Sequence, residues 1–125
     1  DKKMSQTNHQ NALTKEEEEA LSAAVKLFQE ENYEAAILSF NKLISDASEG
    51  DEKMKLYLCN RAAVLIELDR LDEAIADAVK AQQLDVKYPS SYLMQAKAYA
   101  YKDKKGQALD ILKQGLSKNK ESRTI

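Results

Sequence analysis

The sequence predicts an all-α chain, and three observations predict it. Alanine is the commonest of the 125 residues, beside one Pro, three Gly and no Trp, a composition that favours closely packed helices over pleated strands. Apolar residues recur at helical rather than alternating spacing. The same helix–turn–helix pattern then returns twice along the chain, so the structural unit is a helical hairpin and the molecule a short repeat array. With 43% hydrophobic and 32% charged residues the chain is globular in composition, neither low-complexity nor disulfide-stapled.

Residues 1–13 are polar and aperiodic, rich in Asn, Gln and Ser, and read as a tail or linker. The one histidine, His9, lies there without a partner that would make it a ligand or a base. Thr14 followed by Glu17 is a capping box that opens the first helix, and Glu16 to Glu19 sit where the helix dipole favours negative charge. Ala20, Ala23, Ala24, Leu27 and Phe28 follow at helical spacing. Asn32 breaks the run and is expected to cap a second helix carrying Ala36, Phe40, Leu43 and Ile44.

The stretch from Tyr33, YEAAILSFNKL, aligns with LDEAIADAVKA from Leu71 and KGQALDILKQG from Lys105. That alignment superposes Ala36, Ala74 and Ala108, and in the preceding helices Ala24, Ala62 and Ala96. Small residues at both places in every copy let paired helices approach closely. Leu27, Leu65 and Tyr99 share one register, as do Ala20, Leu58 and Tyr92, and these larger side chains are expected to fill the space between helices. The last two copies are 34 residues apart and the first two 38, the excess lying in the polar stretch ASEGDEKM.

A 34-residue helical hairpin with this alternation of small and large residues resembles the tetratricopeptide repeat, TPR. The resemblance implies a right-handed superhelical array of three hairpins over residues 14–120, with repeats at 17–50, 55–88 and 89–118 and a short tail at 121–125. Three departures stand out: Ala23, Arg61 and Gln95 replace the family's usual bulky residue, Pro89 stands near a helix start, and the third copy diverges at Lys105 and Gly115.

The family's register implies a concave groove lined by the first helix of each repeat, carrying Glu18, Leu21, Ser22, Val25 and Gln29, then Leu56, Cys59, Asn60, Ala63 and Glu67, then Ser90, Leu93, Met94, Lys97 and Tyr101. Leu21, Val25, Cys59, Ala63, Leu93 and Met94 make its centre apolar, and the implied peptide-binding set is these six with Asn60, Lys97 and Tyr101. Part of that set is equally expected as interhelical core. The second copy resembles the middle repeat of co-chaperone TPR domains, which hold acidic C-terminal tails of heat-shock chaperones in a carboxylate clamp. Of the five clamp positions the resemblance assigns, Asn60 alone matches; Leu21, Val25, Ser90 and Met94 stand at the others. Lys97 is one turn beyond Met94 and offers a single cation.

These readings imply a protein-interaction adaptor that binds a peptide segment of a partner, with co-chaperone-like character. The alternative is a chaperone-tail receptor with an atypical clamp. A more distant one is single-stranded nucleic-acid binding through Lys102, Lys104 and Lys105 with Tyr99 and Tyr101, which the acidic first two repeats oppose. The charge is indeed lopsided: residues 1–86 carry 10 basic against 18 acidic side chains and residues 87–125 carry 9 against 3, or -8 and +6, the -2 of the whole. No phosphate loop, nucleophilic triad or spaced ligand set suggests an enzyme, a metal or a cofactor. The lone Cys59 and the lack of an apolar run suited to a membrane point to a cytoplasmic chain without membrane insertion. Leu109, Leu112 and Leu116 form a stripe with nothing apolar after it but Ile125, which predicts either a covering helix further along a parent chain or a homodimer through the third repeat.

Overall fold

The computed structural model describes residues 13–123. His9, Ile125 and nearly all of the expected N-terminal tail lie outside the described residues. Six helices follow in chain order: α1 (Lys15–Gln29), α2 (Tyr33–Asp46), α3 (Met54–Glu67), α4 (Leu71–Leu84), α5 (Pro89–Tyr101) and α6 (Lys105–Arg123). They pair as α1 with α2, α3 with α4 and α5 with α6, and successive hairpins stack through α3 on α2 and α5 on α4. No helix among the described residues is long and apolar enough to cross a membrane.

The Thr14 capping box is made in both directions: the Glu17 amide donates to Thr14 Oγ1 at 3.1 Å, and the Thr14 amide donates to Glu17 Oε1 at 2.8 Å. The Glu17 carboxylate also accepts from Lys53 Nζ at 2.8 Å, tying the start of α1 to the start of α3. Leu13, expected as the last tail residue, instead packs against the core, since an apolar side chain beside the cap gains by leaving water. Pro89 is the first residue of α5, where its missing N–H forfeits no helical bond. The last helix continues through Arg123, into the stretch read as a tail.

Asn32 stands at the α2 N-cap, but its side chain makes no capping bond, contrary to expectation. The turn is built from backbone instead. Glu31, Asp69 and Asp103 all adopt left-handed φ values, 63°, 59° and 62°, at equivalent places in the three hairpins. The next amide in each case reaches back to the helix just ended: Asn32 to the Leu27 carbonyl, Arg70 to Leu65 and Lys104 to Tyr99, at 2.8, 2.8 and 2.9 Å. One turn geometry therefore sets all three hairpins, whatever side chain follows.

The two alanine series are buried throughout: Ala24, Ala62, Ala36 and Ala74 are fully inaccessible, and Ala96 and Ala108 nearly so. A second register trades volume between helices. Where the first helix of each hairpin carries Ala20, Leu58 and Tyr92, the second carries Leu43, Ala81 and Gly115. The last pair is in tight contact, because a Cβ on Gly115 would lie 2.8 Å from Tyr92 Cγ. The divergence at Gly115 is thus the space that the Tyr92 ring needs.

Arg61 and Gln95, which replace the expected bulky side chains, link helices instead. Arg61 Nε and Nη2 donate to the two Asp77 carboxylate oxygens at 2.7 and 2.8 Å, and Nη1 donates to Asn41 Oδ1 at 3.0 Å. Gln95 Nε2 donates to Gln82 Oε1 at 2.7 Å. These bonds join α3 to α2 and α4, and α5 to α4.

Candidate functional site

The helices α1, α3 and α5 carry the residues expected to line the groove. Between α3 and α5 a hollow of about 140 Å³ gathers Leu56, Cys59, Asn60, Ala63, Tyr88, Ser90 and Met94. Four of the nine expected binding residues, Cys59, Asn60, Ala63 and Met94, therefore come together here. The spacing explains why: 56, 59, 60 and 63 share one face of α3, and 90 and 94 one face of α5.

The other five are placed differently. Leu21 and Val25 are half-buried and pack against the main hydrophobic core, as does Met94 on its inner side, so the interhelical reading holds for part of each. Leu93 is 52% exposed and lines a separate hollow with Leu112 and Leu116 on the outer side of the third hairpin. Lys97 and Tyr101 are exposed beyond the hollow, the Lys97 ammonium 5.9 Å from the Tyr101 ring centre.

Asn60 donates from Nδ2 to the Leu56 carbonyl one turn earlier, at 2.9 Å, which leaves its Oδ1 and second N–H for the hollow. Cys59 is buried, and desolvation, with a smaller push from the Asp77 carboxylate, drives its thiol up to about 12. It is a small apolar wall rather than a nucleophile. Leu56, Cys59, Ala63 and Met94 give the hollow its apolar lining, and Asn60 and Ser90 add an amide and a hydroxyl group.

Tyr88 is the lining residue that sequence reasoning missed. It precedes Pro89 in a connection, outside every helical register, and its backbone is the N-cap of α5. It is held at the rim by Lys55, whose ammonium lies 5.2 Å from the ring centre and donates to Asp85 Oδ2 at 2.7 Å. Lys55 holds the Asp85 carboxyl below the usual carboxylate range, while burial raises the Tyr88 phenol. A larger hollow, about 630 Å³, opens elsewhere between α2, α3 and α4 around Arg61, Asp77 and Arg70. It was also unforeseen, because it is made by three helices of two repeats. No cluster of three or more His, Cys, Asp or Glu suited to a metal occurs among the described residues.

No family model matches the chain. A DnaJ homolog subfamily C member 7 homolog of Dictyostelium discoideum is 36% identical over 69 residues, 55% of this chain and 13% of that protein, so the chain spans only a small part of the relative. Among solved structures, the TPR2B-domain:pHsp70-complex of yeast Sti1 superposes with TM-score 0.73 at 28% identity, over 83% of this chain and 80% of that one. The TPR2AB-domain:pHSP90-complex of yeast Sti1 superposes with TM-score 0.75 at 26% identity, over 96% of this chain and 45% of that one. With three stacked hairpins, alanines at both close approaches in each, and these likenesses, the chain has the fold of tetratricopeptide repeat domains.

Proposed function

We propose that this domain is a protein-interaction adaptor that takes an extended or helical segment of a partner into the groove at the α3–α5 hollow, with one bulky apolar side chain as its anchor. The observation that carries the reading is the hollow itself, apolar at its floor through Leu56, Cys59, Ala63 and Met94 and hydrogen-bonding at its rim through Asn60 and Ser90. Met94, unbranched and half-exposed, lets the floor adapt to more than one anchor. The likeness to domains solved with Hsp70 and Hsp90 peptides supports a peptide as ligand and a chaperone as partner.

A second reading keeps the chaperone tail but binds it through an atypical clamp of Asn60 and Lys97. Its support is that likeness; against it stand the four uncharged clamp positions, since a carboxylate leaves water only where several donors receive it. Nucleic-acid binding draws less support, because Lys102 is already paired with Asp72. Affinity capture with the purified domain tests the first reading. Ala63→Glu places a charge in the hollow on a half-buried helix face, and it is expected to abolish capture while the helical circular dichroism stays unchanged. Capture that survives this substitution in a folded protein moves the binding surface elsewhere.

A further inference from the structure

The first two hairpins differ at one matched place. On the second, Met54 and Leu58 of α3 and Ala81 of α4 are buried together. The α5 residue at that level, Ser91, is buried with its hydroxyl donating to the Tyr88 carbonyl at 2.7 Å. The counterparts on the first hairpin are Glu16, Ala20 and Leu43, with Tyr57 of α3 in the place of Ser91. Glu16 and Ala20 are exposed, and a hollow of about 210 Å³ opens there, bordered also by Glu17, Asp46 and Ala47. The second hairpin fills this place with its own side chains, so the opening on the first comes from Glu16 and Ala20 themselves.

Tyr57 is the residue that the opening leaves without a partner. It is 1% exposed and borders the hollow, yet its hydroxyl makes no hydrogen bond among the described residues. Burial, and then the Glu17 carboxylate on the same wall, raises that phenol, so it is neutral at pH 7 and its oxygen can accept. The remaining polar groups are acceptors too. Glu17 is already held by Lys53 and the Thr14 amide. Glu16 has no ion pair among the described residues, and Asp46 has only an exposed one with Lys42 at 3.0 Å. The last turn of α2 holds no basic residue, so its C-terminal carbonyls favour a cation as well. Residues 15–20 and 42–53 together carry 8 acidic side chains against 3 basic. No three acidic groups gather closely enough for a metal among the described residues, which leaves an organic cation. A guanidinium fits best. Its planar fork carries five N–H donors, enough for carboxylates on two helices and the phenol oxygen, and it sheds water more readily than an ammonium.

We propose that this hollow is a second binding site, which takes an arginine side chain of a partner protein between Glu16, Asp46 and Tyr57. It shares no residue with the hollow between α3 and α5, and residues 1–12 contain no arginine to fill it from within. The probe is a blocked Gly-Arg-Gly peptide, beside twins that carry lysine or citrulline, the latter keeping the shape without the charge. In NMR titrations the arginine peptide should shift the methyl signals of Ala20, Leu43 and Ala47 and the ring signals of Tyr57, and leave those of Ala63 and Met94 unmoved. It should bind about tenfold more tightly than the citrulline twin and several-fold more tightly than the lysine one. Tyr57→Phe removes only the unpartnered hydroxyl, so the protein should stay folded while its affinity for the arginine peptide falls about fivefold. Ala20→Leu copies Leu58 of the second hairpin and should abolish binding in a folded protein. The proposal is overturned if the arginine peptide binds no better than either twin, or if Tyr57→Phe or Ala20→Leu leaves its binding as it was. It is equally overturned if Lys2→Gln with Lys3→Gln tightens that binding, which would make the chain's own lysines the occupant.

Discussion

Cys59 reports on the groove from inside it. With its thiol pushed up to about 12 by burial, almost none is thiolate at neutral pH, so native alkylation by iodoacetamide should be slow and should accelerate in denaturant. Labelling as fast natively as in the unfolded chain would mean the hollow wall is open. The ion pairs predict the acid limb of stability. Glu17, held down by the Lys53 hydrogen bond and then by the Thr14 amide, and Asp85, held down by Lys55, both have carboxyls lowered by folding. A carboxyl lowered in the folded state stabilises fully above its ordinary value and loses that contribution as the pH falls through the lowered one. Unfolding curves should therefore be insensitive to pH near neutrality and shift to lower temperature below about pH 4, the ordinary carboxylate range. Lys53→Met should flatten that limb; an unchanged limb would show that the Glu17 pair is not part of it.

Elements were legible to the extent that their determinants are local or repeated. The capping box, the alanine pairs and the 34-residue offset all survive as structure, because each depends on neighbours fixed by helical spacing. The Asn32 cap was misread because the turn is a backbone motif, and Asn, Arg and Lys follow it equally well. Left-handed Asp69 is a test of that motif: Asp69→Gly removes the Cβ penalty and should stabilise by about 0.5 to 1 kcal/mol in denaturant titration. Loss of stability would mean that the side chain, not the backbone, holds the turn. Gly115 tests the traded volumes. Alanine there gains helix propensity of about 1 kcal/mol, but its Cβ meets the root of the Tyr92 ring, which is anchored at its far end by a hydrogen bond to the Val86 carbonyl. Overpacking of about 1 to 3 kcal/mol should win, so Gly115→Ala is expected to destabilise. A stabilised variant would show that α5 and α6 move apart freely.

Across the whole molecule, helical register placed residues on faces but not the angle between hairpins, and that angle decides which faces meet. Leu93 shows the difference. Its register matched the groove, yet Leu112 and Leu116 stand beside it on the third hairpin's outer side. Tyr88 and the hollow at Arg61 were illegible for the same reason, since one lies in a connection and the other needs three helices at once. Charge was readable at this scale: the acidic first two hairpins and basic third are present in composition, and the structure engages Lys102 with Asp72 across the last boundary. The central claim is that an apolar anchor, not a carboxylate clamp, selects the groove's ligand. Its most direct test is calorimetric titration of the domain with an acidic C-terminal tail peptide of a heat-shock chaperone, beside the same peptide extended by a bulky apolar residue. The tail alone should bind no more tightly than about 0.1 mM, roughly -5.5 kcal/mol, and the extended peptide should bind at least about tenfold more tightly, the worth of one buried side chain. A low-micromolar dissociation constant for the tail alone, lost on Asn60→Ala, would contradict the claim and establish the clamp.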